Sequence, residues 1–341
     1  MNRDISKRIP FIGFMMICII VMYHCGSSPA VPFSKSDQLC FDVITNLFNS
    51  LATLSMGYFF VVTGFLLFCG LTLSNWPQKV RRRFFSLLIP YLLWQFLTFS
   101  VNLLHHEAMP KYEFLKTTFL FERWPPDGAL WYLYAVFVLA LLSPIALFFY
   151  ERLPKRRGFW LTMAAVLFVY YLREAEFASN FCNYGYISNI LLYAPSYLLG
   201  SYFGFYHSKS SERESLSYLL AVLLTSLNAD ILFPGFFSAM ALQTLPIAML
   251  YLLPIPEILF NCKIYHISFL VYALHQPLVI HFLNPVRDSI YAIYPAASAS
   301  LINGLGRILY LLFIILLASV LHCILAHFCP KGLDILTGGR K

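Results

Sequence analysis

Long apolar runs separated by short polar segments make up most of this chain. The hydrocarbon core of a bilayer is about 30 Å thick and is crossed by about 20 apolar helical residues. Runs of approximately this length occupy residues 9–26, 50–73, 84–104, 128–150, 158–172, 187–206, 216–234, 236–253, 264–283 and 305–328. The pattern predicts an all-α integral membrane bundle of about ten transmembrane helices. Because 216–234 ends at Pro234–Gly235, it and 236–253 are also consistent with one helical hairpin that has a tight outer turn.

The composition leaves no room for a soluble domain beside this bundle. Of the 341 residues, 59% are hydrophobic and 12% are charged, whereas an average soluble domain is about 25% charged. The mean hydropathy of the chain is +0.69. No polar block between the apolar runs is long enough to bury a core of its own. We therefore interpret residues 1–341 as a single membrane domain.

The Lys and Arg residues predict the orientation of the bundle. Cytoplasmic loops are enriched in these residues, and ten spans with both termini in the cytoplasm place most of the 24 cations inside. The outer side then holds Lys35, Lys111, Lys116, Arg123, Arg173, Arg287 and Arg307. The expected location is the cell (plasma) membrane, with the lipid bilayer as a partner. The net charge of +8 lies in small clusters between apolar runs, so nucleic acid is not expected as a partner.

Two histidines are the leading candidates for chemistry, because an ionisable residue in a membrane span is costly and usually functional. His24 lies in the last turn of the first predicted helix, where it suits a general base or a nucleophile. An interfacial histidine satisfied by water is the alternative. His275 lies in the ninth predicted helix and is followed by Pro277, which frees a backbone carbonyl and favours a packed or water-lined site. Its alternative is a histidine that hydrogen-bonds between helices.

The basic run 79–83, which contains Lys79 and Arg81 to Arg83, precedes the third predicted helix on the cytoplasmic side. Several cations can hold the phosphates of a nucleotide-bearing donor. The same run is also explained as an orientation signal or a contact with lipid headgroups.

Other motifs with known chemistry are missing from the sequence. It contains no GxGxxG, P-loop or nucleophile-elbow motif, and its eight cysteines have no zinc-ligand spacing. No metal site is therefore predicted. A disulfide between Cys25 and Cys40 is compatible with their predicted outer location but has no other support. The first apolar run is interpreted as a retained helix, because no small-residue cleavage site follows His24, and a cleaved signal peptide is the less favoured alternative.

Six short motifs in a consistent order resemble the acyltransferase 3 family of ten-helix membrane O-acyltransferases. They are Tyr23-His24, the FFVVTGF run at 59–65, the RRFFSLLIPYLLW run at 82–94, the LWYL run at 130–133, the YALHQP run at 272–277, and the LTGGR tail at 336–340. Two positions depart from the family pattern. Gly13 stands where an upstream arginine is usual, and Ser86 stands where the second arginine of a pair is usual.

The resemblance implies transfer of an acyl group, with acetyl expected, from acyl-CoA to a hydroxyl of a glycan or lipid-linked sugar. It implies that His24 is the essential base or transient acyl carrier and that His275 belongs to the same site. Arg82 and Arg83 are expected to hold the phosphates of acetyl-CoA, and Trp131 and Tyr132 are expected to contact substrate. Acetyl-CoA would be a donor substrate, and no permanently bound cofactor is expected.

The sequence is also compatible with two other classes of function. A transporter or flippase for a lipid-linked sugar or polysaccharide would have internal repeats and broken helices, and no repeat is visible. A membrane scaffold or sensor without enzymatic activity would leave the two histidines and the arginine cluster unexplained.

Overall fold

The chain folds into helices joined by short connections. This computed structural model describes residues 3–26, 35–104, 111–119, 124–174, 185–231, 233–260, 262–293 and 299–339. Within these ranges no strand occurs. The helices are α1 (Arg3–His24), α2 (Lys35–Phe68), α3 (Trp76–Arg83), α4 (Ile89–Leu104), α5 (Lys111–Thr118), α6 (Trp131–Arg152), α7 (Lys155–Glu174), α8 (Gly185–Tyr206), α9 (Glu212–Ala229), α10 (Phe236–Leu252), α11 (Ser268–Leu278), α12 (Asn284–Ile293), α13 (Ala299–Phe328) and α14 (Pro330–Thr337).

Six helical segments among the described residues are long and apolar enough to cross a membrane. They are Ile5–His24, Asp37–Phe68, Trp76–Leu104, Gly128–Arg152, Glu257–Ile290 and Ser300–Phe328. The shorter helix α10 is also apolar. The predicted all-α membrane bundle is thus confirmed, and the number of ten spans stays a prediction.

Helix α2 lies at the centre of the bundle and packs most closely against α8. Glycines permit this contact: a Cβ atom at Gly200 would lie 2.2 Å from the Val61 carbonyl oxygen, and one at Gly204 would lie 2.3 Å from that of Phe65. On the other helix, a Cβ atom at Gly64 would lie 2.4 Å from the Tyr197 carbonyl oxygen. Two helix backbones therefore approach each other directly, as small residues allow in membranes.

Helix α2 also begins earlier than its apolar run indicates. Its 34 residues span about 51 Å at 1.5 Å per residue, well beyond the thickness of a bilayer core. The extra turns are polar and include Asp37, Asn46 and Asn49. The helix therefore continues outside the apolar run and carries polar side chains toward the end of α1.

Two π-helical segments interrupt the long helices next to candidate functional residues. Phe84–Leu88 joins α3 to α4 directly after Arg83, and Val279–Leu283 joins α11 to α12 shortly after His275. Segments of this kind are frequent at functional sites. The second one follows Pro277, which cannot donate a backbone hydrogen bond within the helix.

The region that the sequence left open as a hairpin forms two helices, α9 and α10, joined by a tight turn. Gly235 adopts a left-handed φ of 86°, and the Asp230 carboxylate accepts a hydrogen bond from the Phe237 amide at 2.8 Å. Elsewhere, Cys25 is a buried free thiol and Cys40 is an exposed free thiol. The disulfide between them is therefore not formed.

Candidate active site

The two candidate histidines lie side by side. His24 ends α1 and His275 lies in α11, and the centroids of their rings are 5.1 Å apart. His275 is fully buried, whereas His24 is partly exposed. Packing of α1 against α11 therefore joins two residues from opposite ends of the chain into one site.

The hydrogen bonds of His275 determine which of its ring nitrogens carries the proton. Its Nδ1 lies 2.6 Å from the Tyr272 carbonyl oxygen. Because a carbonyl oxygen only accepts, Nδ1 must be the protonated nitrogen, and Nε2 of the neutral ring then presents a lone pair. Nε2 is buried and has no hydrogen-bond partner among the described residues. The Tyr310 hydroxyl donates to the His275 carbonyl at 2.6 Å, so α13 also holds this segment in place.

A cavity of about 730 Å³ opens beside the histidine pair. This volume lies within the range of about 300–1,000 Å³ that is usual for ligand sites. His24 and Trp131 both line it. Its other polar lining residues are Tyr23, Asn49, Thr53, Asn102, Asn189, Tyr193, Tyr272 and Gln276. The cavity thus offers hydroxyl and amide groups for hydrogen bonds with a polar ligand.

A second cavity, of about 250 Å³, contains the arginine that the sequence singled out. Arg83 lines it together with Tyr132 and Tyr272, and most of the remaining wall is apolar. Arg83 is half-buried, whereas Arg82 is exposed and does not line the cavity. The structure therefore separates two neighbouring arginines that the sequence treated as a pair.

Tyr272 lines both cavities, so they lie on two sides of its side chain. Its hydroxyl donates to the Ala129 carbonyl oxygen. Trp131 faces the larger cavity, and the adjacent Tyr132 faces the smaller one. The Tyr132 hydroxyl is 2.5 Å from the Thr63 hydroxyl. The two residues predicted to contact substrate therefore belong to different parts of the site.

The segment before α6 forms one wall of the larger cavity and is held by Gln95. The Gln95 side chain accepts from the Asp127 amide at 2.8 Å and donates to the Asp127 carbonyl at 3.0 Å. Both residues are fully buried. Burial raises the pKa of the Asp127 carboxyl well above its usual range, because the charged form is desolvated. Gly128 lies against the Gln276 amide, where a Cβ atom would approach its Nε2 to 3.0 Å.

Two buried arginines bind backbone carbonyl groups at the end of α1, and the sequence predicted only that both lie on the outer side. Arg287 donates to the Cys25 carbonyl at 2.9 Å, and Arg307 donates to the Met22 carbonyl. The last carbonyls of a helix have no partner within it and carry partial negative charge, which cations stabilise. These contacts fix the turn that carries His24. The sequence feature that could have identified Arg307 as a functional residue is its place inside an apolar run, where an ionisable residue is rare.

At the two positions that depart from the family pattern, the residues present pack against other parts of the chain. Gly13 lies in α1 against the Tyr58 ring, and the Tyr58 hydroxyl donates to the Ile9 carbonyl at 2.9 Å. Ser86 lies in the first π-helical segment, and its backbone contacts Gly338. A Cβ atom at position 338 would lie only 2.3 Å from the Ser86 carbonyl oxygen. The residues that follow α14 thus pack against the π-helical segment that comes directly after Arg83.

A helical membrane bundle with a polar cavity beside a histidine pair, and a second cavity on the other side of Tyr272, has the organisation of a membrane-embedded enzyme. Residues 13–327 match the acyltransferase 3 family, which is described as an acyltransferase domain. The chain therefore belongs to this family, as the motifs indicated, and is a multi-pass membrane acyltransferase. No curated protein and no solved structure matches the chain.

Proposed function

We propose that the protein transfers an acetyl group from acetyl-CoA to a hydroxyl group of a glycan or lipid-linked sugar at the cell membrane. The observation that carries this proposal is the arrangement of two neighbouring cavities: His24 lines one that has polar walls, Arg83 lines the other, and Tyr272 lines both. The first suits a sugar, and the second suits part of a phosphate-bearing donor. Family membership supports the acyl transfer itself.

The donor is expected to enter from the side of Arg83. A guanidinium group binds phosphate oxygens through two parallel hydrogen bonds, and Arg83 is the cation that lines the smaller cavity. The apolar remainder of this cavity suits the thioester arm of acyl-CoA. Exposed Arg81 and Arg82 add positive charge at the entrance. In the predicted topology this entrance faces the cytoplasm, where acyl-CoA is made.

The acceptor is expected to bind in the larger cavity, where its hydroxyl group would meet His24. His24 takes the proton from the hydroxyl, and the oxygen attacks the thioester carbonyl carbon of the donor. The C–O bond forms and the C–S bond breaks, and the protonated imidazole returns its proton to the departing CoA sulfur. A variant in which His24 first carries the acyl group has the same overall balance.

His275 is assigned the role of orienting His24. His275 Nε2 has no hydrogen-bond partner among the described residues, and at a ring separation of 5.1 Å a small rotation of His24 would bring a ring nitrogen of His24 within reach of it. Because Nε2 carries the lone pair, His24 would be the donor in this hydrogen bond. The other nitrogen of His24 then keeps its lone pair and can accept a proton. With this hydrogen bond made, the Tyr272 carbonyl, His275 and His24 would form a chain in which each group fixes the tautomer of the next, as in other activated bases.

The proposal is tested with purified protein in nanodiscs, acetyl-CoA labelled in its acetyl group, and the lipid-linked glycans of the source cell. We expect label to appear in an ester of the glycan in the wild type and not in His24→Ala. In cells, deletion of the protein should remove acetyl esters from surface glycans, as measured by mass spectrometry, and complementation should restore them. Unchanged acetylation with failed export of the glycan would contradict the proposal and favour a transporter.

A further inference from the structure

A third cavity, of about 260 Å³, lies on another side of His24 and contains Arg307. It is formed by the end of α1, the polar first turns of α2, and α13. Arg307 is only 2% exposed, so its charge is buried at the wall of this cavity. A buried charge is costly unless it is paired.

Arg307 has no carboxylate partner in the part of the chain that the structure describes. The salt bridge between Lys155 and Glu214 lies elsewhere, and no acidic residue lines the cavity. The backbone carbonyls at the end of α1 offer Arg307 only partial negative charges. Its Nε atom is buried and has no hydrogen-bond partner among the described residues. A full positive charge with a remaining donor is therefore left at the cavity.

A second buried donor without a partner lies in the same cavity. The Thr45 hydroxyl is buried, makes no hydrogen bond among the described residues, and belongs to a residue that lines the wall. Asn49 lines the wall as well and contributes an amide. The Phe48 ring lies 4.6 Å from the guanidinium carbon of Arg307 and holds the plane of this group.

We propose that this cavity is a binding subsite for an oxyanion, a phosphate or carboxylate group, that the acceptor carries near the hydroxyl to be acylated. Arg307 and Thr45 would donate hydrogen bonds to its oxygens. Because His24 lines both this cavity and the larger one, a bound anion would tether the acceptor beside the imidazole. This inference rests on the proposed function, since it describes a chemical feature of the acceptor.

The binding test uses inorganic phosphate as the probe and calorimetric titration of the full-length protein in phosphatidylcholine nanodiscs. We expect Arg307→Gln to weaken phosphate binding at least about tenfold, as loss of a charge-assisted hydrogen bond does. Arg307→Lys should retain part of the affinity, and Thr45→Val, which removes only a hydroxyl, should weaken it about threefold or more. Arg213→Gln, on an exposed position of α9, is the matched control and should bind as the wild type does.

Thr45→Val keeps the test valid if Arg307→Gln fails to fold, because Thr45 does not bind the end of α1. Equal phosphate affinity in the wild type, Thr45→Val and Arg307→Lys, or no binding at all, would overturn the proposal. Loss of phosphate binding when phosphatidylglycerol is added to the nanodiscs would also overturn it, since the site would then belong to a lipid headgroup. Binding does not require turnover, so the subsite survives if the protein binds phosphate as expected but acylates no glycan, and only the proposed function fails.

Discussion

His24→Gln tests the assignment of the proton acceptor in the most direct way. Glutamine fills a similar volume and can still hydrogen-bond to His275 Nε2 through its amide, but it cannot take a proton from a hydroxyl group. A positioned general base contributes about 10²–10⁴ in rate, or about 2.7–5.4 kcal/mol. We therefore expect His24→Gln to lose at least about 10² in kcat, and more if His24 also carries the acyl group.

The orienting role predicts a smaller effect at the second histidine. In His275→Asn, the side-chain amide can replace Nδ1 as donor to the Tyr272 carbonyl, but the lone pair of Nε2 is lost. Activity should fall about tenfold, the effect of losing roughly one hydrogen bond to a functional group. In this mechanism His275 acts only through its effect on His24. His275→Asn should therefore cost little in a protein that already carries His24→Gln, because residues that act as a unit are not additive.

The assay is the initial rate of transfer of labelled acetyl to the glycan fraction, with protein amounts matched by size-exclusion profile in the same detergent. The four proteins of the cycle are the wild type, the two single variants and the double variant. A His24→Gln variant that keeps more than about a tenth of the activity would refute the general-base role, because the expected rate factor is at least about 10². Fully additive losses at His24 and His275 would refute the orienting contact between them.

Three further predictions concern the donor, the packing and the topology. Arg83→Gln should raise the KM for acetyl-CoA at least about tenfold in steady-state kinetics, because a phosphate contact is lost. Arg82→Gln should change this KM less than about threefold, because Arg82 is exposed. Equal effects of the two substitutions would contradict the different roles of the two arginines. Gly200→Ala should destabilise the bundle by about 1–3 kcal/mol or more, since its Cβ would lie 2.2 Å from a carbonyl oxygen of α2, and thermal unfolding in detergent measures this. Reporter fusions after Arg157 should report the cytoplasm and fusions at Lys116 the outside, and a cytoplasmic signal at Lys116 would break the predicted order of spans.

The helices themselves were predictable because lipid requires each spanning segment to be apolar over its whole length. The early start of α2 at Lys35 was not, because turns outside the bilayer need no apolar run. The short helix α5 (Lys111–Thr118) was missed for the same reason, since it is polar and lies between apolar runs. Hydropathy therefore identifies what lipid covers and is silent about helical turns that water or protein covers.

The sequence identified single residues of the candidate site but not which of them lie together. His24 and His275 each stand out as ionisable residues in apolar runs, but nothing in the pattern states that their rings are 5.1 Å apart. Arg307 gave the same signal but was counted only as one of the cations on the outer side. Its contact with the end of α1 joins positions 285 residues apart, and only the packing of α13 against α1 creates it.

The position of Tyr272 shows how a closed bundle can still bring donor and acceptor together. Its side chain separates the Arg83 cavity from the larger cavity beside His24, so the proposed transfer requires this barrier to move. The hydrogen bond from its hydroxyl to the Ala129 carbonyl is worth about 0.5–1.5 kcal/mol net. Breaking this hydrogen bond costs little beside a catalytic barrier, since a turnover of about 10 s⁻¹ corresponds to about 16 kcal/mol. The hydrogen bond to Ala129 alone therefore does not prevent Tyr272 from moving during the proposed transfer.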